Sequence, residues 1–175
     1  TSDCEKIQKI CKKEKVFFLD RPKKISGDHA SIHEAIFHAV NILNQDYKYI
    51  ILLQTTSPLR NLDLVKKSIK ILDKNKKFDS LTHLAKDSSF TGKVINNRWI
   101  PDYDLNKRSQ DINEKFLPTG NLYVYRSHLY KNKIRTPKKT YGLILHNEKW
   151  VDIDCQKDLM LLDFYLKQLK NKKFF

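Results

Sequence analysis

The chain predicts an α/β fold, a mostly parallel sheet flanked by helices, and three observations carry that expectation. Residues 50–53 are all apolar and stop abruptly at Gln54-Thr55-Thr56-Ser57-Pro58. A run without polar alternation is a strand covered on both faces, so it is expected at the centre of the sheet. Strand-like and helix-like segments alternate along the sequence, as crossover connections require. Finally, 175 residues are enough for one domain with a real core.

The elements follow in order. Thr1-Ser2-Asp3 predicts a helix start, and Ile7, Ile10 and Cys11 make an apolar stripe that ends near Glu14. Residues 16–19 read as a short strand and 21–27 as a loop. Ser31-Ile32-His33-Glu34 is a capping box opening a helix to about Asn44. After strand 50–54, Asn61 and Asp63 start a helix that places Leu64, Val65, Ile69 and Leu72 on one side. Residues 79–85 are strand-like, and 93–100 form a hairpin turning at Asn96-Asn97. Residues 86–118 are otherwise polar and irregular, too long for an ordinary connection, and read as an inserted arm or lid. Strands are expected at 121–125, 143–146 and 149–153. A last helix covers about 156–170, with Leu159, Leu162, Leu166 and Leu169 on one face.

Composition narrows the function. The net charge of +14 comes from 34 basic and 20 acidic residues, which invites a nucleic-acid reading. Against it, most of the bases are scattered lysines. Arginine, the better reader of bases and phosphates, occurs only at 21, 60, 98, 108, 126 and 135. No basic stripe interleaves with aromatic side chains. The positive field equally suits small anions such as nucleotides and sugar acids. No apolar run approaches the roughly 18 residues of a membrane span, and no signal-peptide pattern opens the chain. Cys4, Cys11 and Cys155 are an odd count without metal-ligand spacing, as expected of a reduced, cytoplasmic protein. The six histidines likewise lack ligand spacing, and none is assigned a catalytic role.

Several polar residues sit where ligands bind in such sheets, just past the carboxyl end of a strand. Gln54 offers a paired donor and acceptor to a base or sugar edge, or bonds loop backbone. Thr56 and Ser57 offer hydroxyls to a ligand or cap the following helix. Arg21 could hold a nucleotide in its planar fork or be a solvated loop residue. Ser31 caps a helix or touches ligand. Arg108 and Gln110 lie on the arm. Arg60 is expected to tie the strand exit to the helix start. Asp152 and Asp154, two apart on an expected strand end, would point the same way and suit Mg²⁺, which takes one or two carboxylates plus phosphate oxygens. Asp154 could equally cap the last helix. Phe90, Trp99, Tyr103 and Phe116 on the arm read either as a protein contact or as a small satellite core.

Four segments, in order, resemble the CMP-N-acetylneuraminate cytidylyltransferase family. They are Arg21-Pro22 with Ser26, Asp28, Ala30 and His38-Ala39; the run Gln54-Thr55-Thr56-Ser57-Pro58-Leu59-Arg60; Arg108-Ser109-Gln110-Asp111 with Pro118, Gly120 and Leu122-Tyr123-Val124; and Asp152-Ile153-Asp154 with Asp158-Leu159. The likeness spans nearly the whole chain, and the 54–60 run is its most specific piece. Thr55, Leu117 and Thr119 depart from the family pattern at positions where Pro, Arg and Asn are usual.

The resemblance implies a Rossmann-like nucleotidyltransferase fold and transfer of CMP from CTP to a sialic-type (nonulosonic) sugar acid. It further implies Mg²⁺ on Asp152 and Asp154, substrate contacts by Arg21, Ser31, Gln54, Thr56, Ser57, Arg108 and Gln110, and a homodimer using the 86–118 arm. Family members open with a strand and a glycine-containing phosphate loop. Here the only glycines are 27, 92, 120 and 142, so the chain is expected to be N-terminally truncated relative to the family, with sheet edges left exposed. The alternative expectation is a non-catalytic fragment or degenerate homologue that binds a nucleotide or a partner subunit.

Overall fold

Helices form where apolar residues recur at spacings of three and four. The computed structural model describes residues 1–134, 136–146 and 149–171. Its elements are α1 (Glu5–Lys13), α2 (Ile32–Leu43), β1 (Tyr49–Leu52), α3 (Leu62–Lys74), β2 (Ser80–Asp87), β3 (Gly92–Ile95), β4 (Arg98–Pro101), β5 (Lys115–Arg126), α4 (Ser127–Lys131), β6 (Thr140–Ile144) and α5 (Gln156–Asn171). They divide into two units: Thr1–Ile50 with Tyr125–Lys138, and Ile51–Val124 with Lys139–Phe175. Arg135 lies outside the described residues.

In the first unit Ser2 accepts the Cys4 N–H at 3.2 Å just ahead of α1, and forms an isolated parallel bridge with Asp20. Residues 16–19 are not the expected strand. They have no ladder partner among the described residues, and Val16 and Phe17 are 58% and 71% exposed. An apolar run becomes a strand only where another strand satisfies its backbone. Helix α2 begins as its sequence dictates, with the Ser31 hydroxyl accepting the His33 N–H at 3.2 Å. It ends on Asn44 in the left-handed region, φ 41°. Helix α2 packs on α4, which the sequence did not predict. Between them Tyr130 stacks on His33 and meets Phe37 edge-on, and its hydroxyl lies 2.9 Å from His33 Nδ1. Burial raises the Tyr130 phenol well above its usual range, so it keeps its proton.

The second unit carries most of a four-stranded sheet in the order β1-β5-β2-β6. Strands β2 and β6 are parallel, from Ser80 opposite Thr140 to Leu84 opposite Ile144. Between β5 and β2, Thr82 Oγ1 donates to the Leu122 carbonyl and Thr119 Oγ1 to that of His83. Numbers rise on one strand as they fall on the other, so the pair is antiparallel and the sheet is mixed. The expected α/β class is borne out. Helix α3 lays Leu64, Ser68 and Leu72 on this core, with Leu81, Leu122, Val124 and Val151. Its N-cap is Asn61, whose side chain accepts the Asp63 N–H at 2.9 Å.

Three further strand expectations meet the structure differently. Residues 50–53 do not form a central strand: β1 is at the sheet edge, and Ile51 and Leu53 are 38% and 44% exposed. The apolar run does form a strand, but its place at the edge leaves Ile51 and Leu53 partly open. Residues 149–153 are irregular rather than extended into a ladder. Strand β6 comprises Thr140–Ile144, so Leu145 and His146 fall beyond it.

The 86–118 segment contains the β3–β4 hairpin, whose turn residues Asn96 and Asn97 both take positive φ (50° and 62°), as a type I′ turn requires. Its aromatics divide: Phe90 and Tyr103 pack together at 4.8 Å between ring centroids, while Trp99 is half exposed. The three cysteines are free thiols, and Cys155 is exposed. No helix among the described residues is long and apolar enough to cross a membrane.

Candidate active site

The site is built in the second unit by two stretches of irregular backbone that bond to each other. Leaving β1, the chain bends so that the Ser57 N–H reaches the Gln54 carbonyl at 3.2 Å. The Arg60 guanidinium donates to that same carbonyl, as expected of a residue tying strand exit to helix start. Burial lowers the Arg60 pKa from its usual value, yet it remains a cation at neutral pH. From β5, Asn121 Nδ2 donates to the Leu59 carbonyl at 2.5 Å. Residues 54–60 are thereby held at both ends by fixed donors.

The second stretch, 151–155, is brought alongside by one backbone bond, from the Ile153 N–H to the Thr56 carbonyl at 2.9 Å. This lets Ser57 Oγ donate to Asp152 Oδ1 at 3.0 Å. The Thr119 carbonyl is a second acceptor for that hydroxyl, at 3.4 Å. Gly120 completes the cradle. Its φ is +68°, and a Cβ there would stand 2.4 Å from Asp152 Oδ2 and 2.8 Å from Ser57 Oγ. Only glycine satisfies both the backbone conformation and this approach. Burial, and secondly the Asp152 charge, raise the Tyr123 phenol pKa.

The structure therefore brings together Ser57, the Thr56 backbone and Asp152, with the Gln54 carbonyl anchored beside them. The Gln54 side chain is half-buried and Thr56 is exposed, while Ser57 is fully buried. Neither Thr56 nor Ser57 caps α3, because Asn61 does so. Asp154 is exposed, and it is not the cap of α5. Asp158, in the first turn of α5, bonds back instead, accepting the Asp154 and Cys155 N–H groups at 2.9 and 2.8 Å, which hold its carboxyl below the usual carboxylate range. On the arm, Arg108 is turned onto Asp111 in a two-pronged pair at 2.8 and 3.3 Å, and Gln110 is exposed. In the first unit, Arg21 Nε donates to Ser26 Oγ at 3.1 Å and its guanidinium lies 3.9 Å from Asp3. Ser31 is the α2 cap described above.

Sequence reasoning gave Gly120 and Tyr123 no site role. The signal that could have found them is a glycine inside a strand, which marks a bulge or close approach, with Tyr123 farther along the same strand. Among the described residues no group of three or more His, Cys, Asp or Glu could hold a metal by itself. Asp152 and Asp154 lie on irregular backbone, so the strand spacing expected to point them the same way is absent; their carboxylates remain the oxygen donors that suit a hard cation completing its shell with phosphate oxygens and water.

A parallel pair beside an antiparallel strand, with polar loops at the strand ends, makes a mixed α/β sheet. Among solved structures, CMP:2-keto-3-deoxy-manno-octonic acid synthetase complexed with CTP aligns at a TM-score of 0.62 over 95% of this chain and 78% of its own, with 12% identity. The 4-diphosphocytidyl-2C-methyl-D-erythritol synthase of Anaerococcus prevotii aligns at 0.59, again with 12% identity, over 93% of this chain and 76% of its own. In sequence the chain is similar to the N-acylneuraminate cytidylyltransferase of Escherichia coli O18:K1:H7, 27% identical over 179 residues, covering 99% of this chain and 42% of the relative. The Streptococcus agalactiae serotype V protein of the same name is 21% identical over 187 residues, covering 100% of this chain and 45% of that protein. The resemblance first carried by residues 54–60 is thus borne out by relatives of that name. The chain spans less than half the length of these curated relatives. No family model matches it.

Proposed function

We propose that the chain carries the catalytic site of a cytidylyltransferase that makes a CMP-linked nonulosonic (sialic-type) sugar acid from CTP. The anomeric hydroxyl oxygen of the sugar acid attacks the α-phosphorus of CTP and forms a new P–O bond. The bond from that phosphorus to the β-bridging oxygen breaks, pyrophosphate leaves, and the hydroxyl proton passes to solvent. Such a transfer needs its reactants aligned and its phosphate charge neutralised. Asp152 and Asp154 would hold Mg²⁺, which supplies that neutralisation. Gln54 and Thr56 border the nucleotide, and Arg108 and Gln110 serve the sugar carboxylate or a second subunit. A homodimer that uses the 86–118 arm, working in the cytoplasm, completes the reading.

The observation that supports this most is the Asp152 carboxylate held against the 54–60 loop by Ser57. The family-like signature and Asp152, 95 residues apart in sequence, meet there. Pyrophosphate release from CTP with a panel of sialic-type acids tests it. We expect turnover that needs Mg²⁺ and falls at least about 100-fold in Asp152→Ala and Asp154→Ala. A wild type silent with every acceptor supports the non-catalytic alternative.

A further inference from the structure

Ser57 lies in the run that resembles a substrate-contact signature, yet its side chain is fully buried and its hydroxyl has only one proton to give. That proton has two acceptors within reach, Asp152 Oδ1 at 3.0 Å and the Thr119 carbonyl at 3.4 Å. The nearer, charged acceptor wins. Asp152 is constrained on its other side as well, because Gly120 approaches Oδ2 so closely that a Cβ could not be accommodated.

We propose that Ser57 and Gly120 form a latch that fixes the rotamer of Asp152 for cation binding, so that Ser57 is a positioning residue rather than a substrate contact. One oxygen of the carboxylate is tied to the loop by Ser57 and the other lies beside Gly120, so the group meets a cation in a single orientation. The backbone bond from Ile153 to Thr56 sets the height of the latch, and the Asn121 and Arg60 bonds stop the loop from sliding. Loop 54–60 therefore serves the metal side of the site through Ser57 and the ligand side through its exposed neighbours. A supporting group that orients a ligand in this way typically changes metal affinity by about 10–100-fold when removed. The inference rests on the metal role proposed for Asp152.

The test is Mn²⁺ binding to the full chain, followed by loss of the free-ion electron paramagnetic resonance signal, alongside CTP binding by calorimetry in EDTA. For Ser57→Ala we expect Mn²⁺ affinity to drop about tenfold while metal-free CTP affinity changes less than about twofold. A substrate-contact role gives the reverse, with CTP affinity lost and Mn²⁺ affinity kept, and overturns the latch while leaving the transferase reading intact. Should the alanine variant fail to fold, Ser57→Cys, a weaker donor of similar shape, is expected to bind Mn²⁺ with intermediate affinity. Affinity equal to wild type in that variant overturns the latch. A wild type that binds no Mn²⁺, either alone or with CTP present, defeats both the metal reading and the latch.

Discussion

Gly120 and Gly27 set up an internal comparison. A Cβ at Gly27 meets nothing within 4 Å, and its φ is not positive, whereas Gly120 combines φ +68° with three contacts under 3.0 Å. Gly27→Ala is expected to be neutral or to stabilise by about 0.5 kcal/mol through the unfolded chain. Gly120→Ala is expected to cost about 1–2 kcal/mol from its backbone conformation alone. Urea unfolding of both variants measures the difference. Deeper in the core, Leu72 is fully buried under α3, so Leu72→Ala is expected to cost about 2–5 kcal/mol. Beside it, Ser68 Oγ lies 2.8 Å from the Leu64 carbonyl and 2.8 Å from Nε2 of the buried His83, a polar contact that the sequence left without a role.

At the scale of elements, local signals decided most boundaries. Helix α3 begins where Asn61 caps it, and Asn61→Ala is expected to lower stability by about 1 kcal/mol in thermal or urea unfolding. The arm depends on charge. Lys115 Nζ and Thr91 Oγ1 donate to the two oxygens of Asp102 at 2.9 and 2.7 Å, and these bonds hold its carboxyl below the ordinary 3.8. A pKa lowered on folding stabilises above 3.8 and loses that contribution as pH falls through the folded value. A carboxyl-carbon NMR titration is expected to place the Asp102 midpoint below 3.8, and Lys115→Met to move it back up. The elements that departed from expectation share one cause. Residues 16–19 and 149–153 carry strand-like side chains, but a strand also needs a neighbour at hydrogen-bonding distance, and that neighbour is not local. The same holds for β1, a strand in sequence whose edge position came only from the order of the sheet.

For the whole molecule, the +14 charge is expected to raise encounter rates with anionic nucleotides without making a nucleic-acid binder. Gel-shift measurements at physiological salt are expected to show no sequence-independent DNA or RNA complex, since lysine contacts to phosphate weaken steeply with salt. If the arm joins two subunits as proposed, sedimentation is expected to give a two-chain species that dissociates when the β3–β4 hairpin is excised.

What the amino-acid sequence determined by itself was the α/β class, the helix caps at Ser31 and Asn61, the Asn96-Asn97 turn and the polar run that ends β1. Each of these is a property of neighbouring residues, set by side-chain period or backbone preference. What only the tertiary structure decided was the partnership between Ser57 and Asp152, the closeness of Gly120 to both, and the edge position of β1. These depend on which distant segments meet, and a hydrogen bond or a steric contact across 95 residues leaves no periodic trace along the chain.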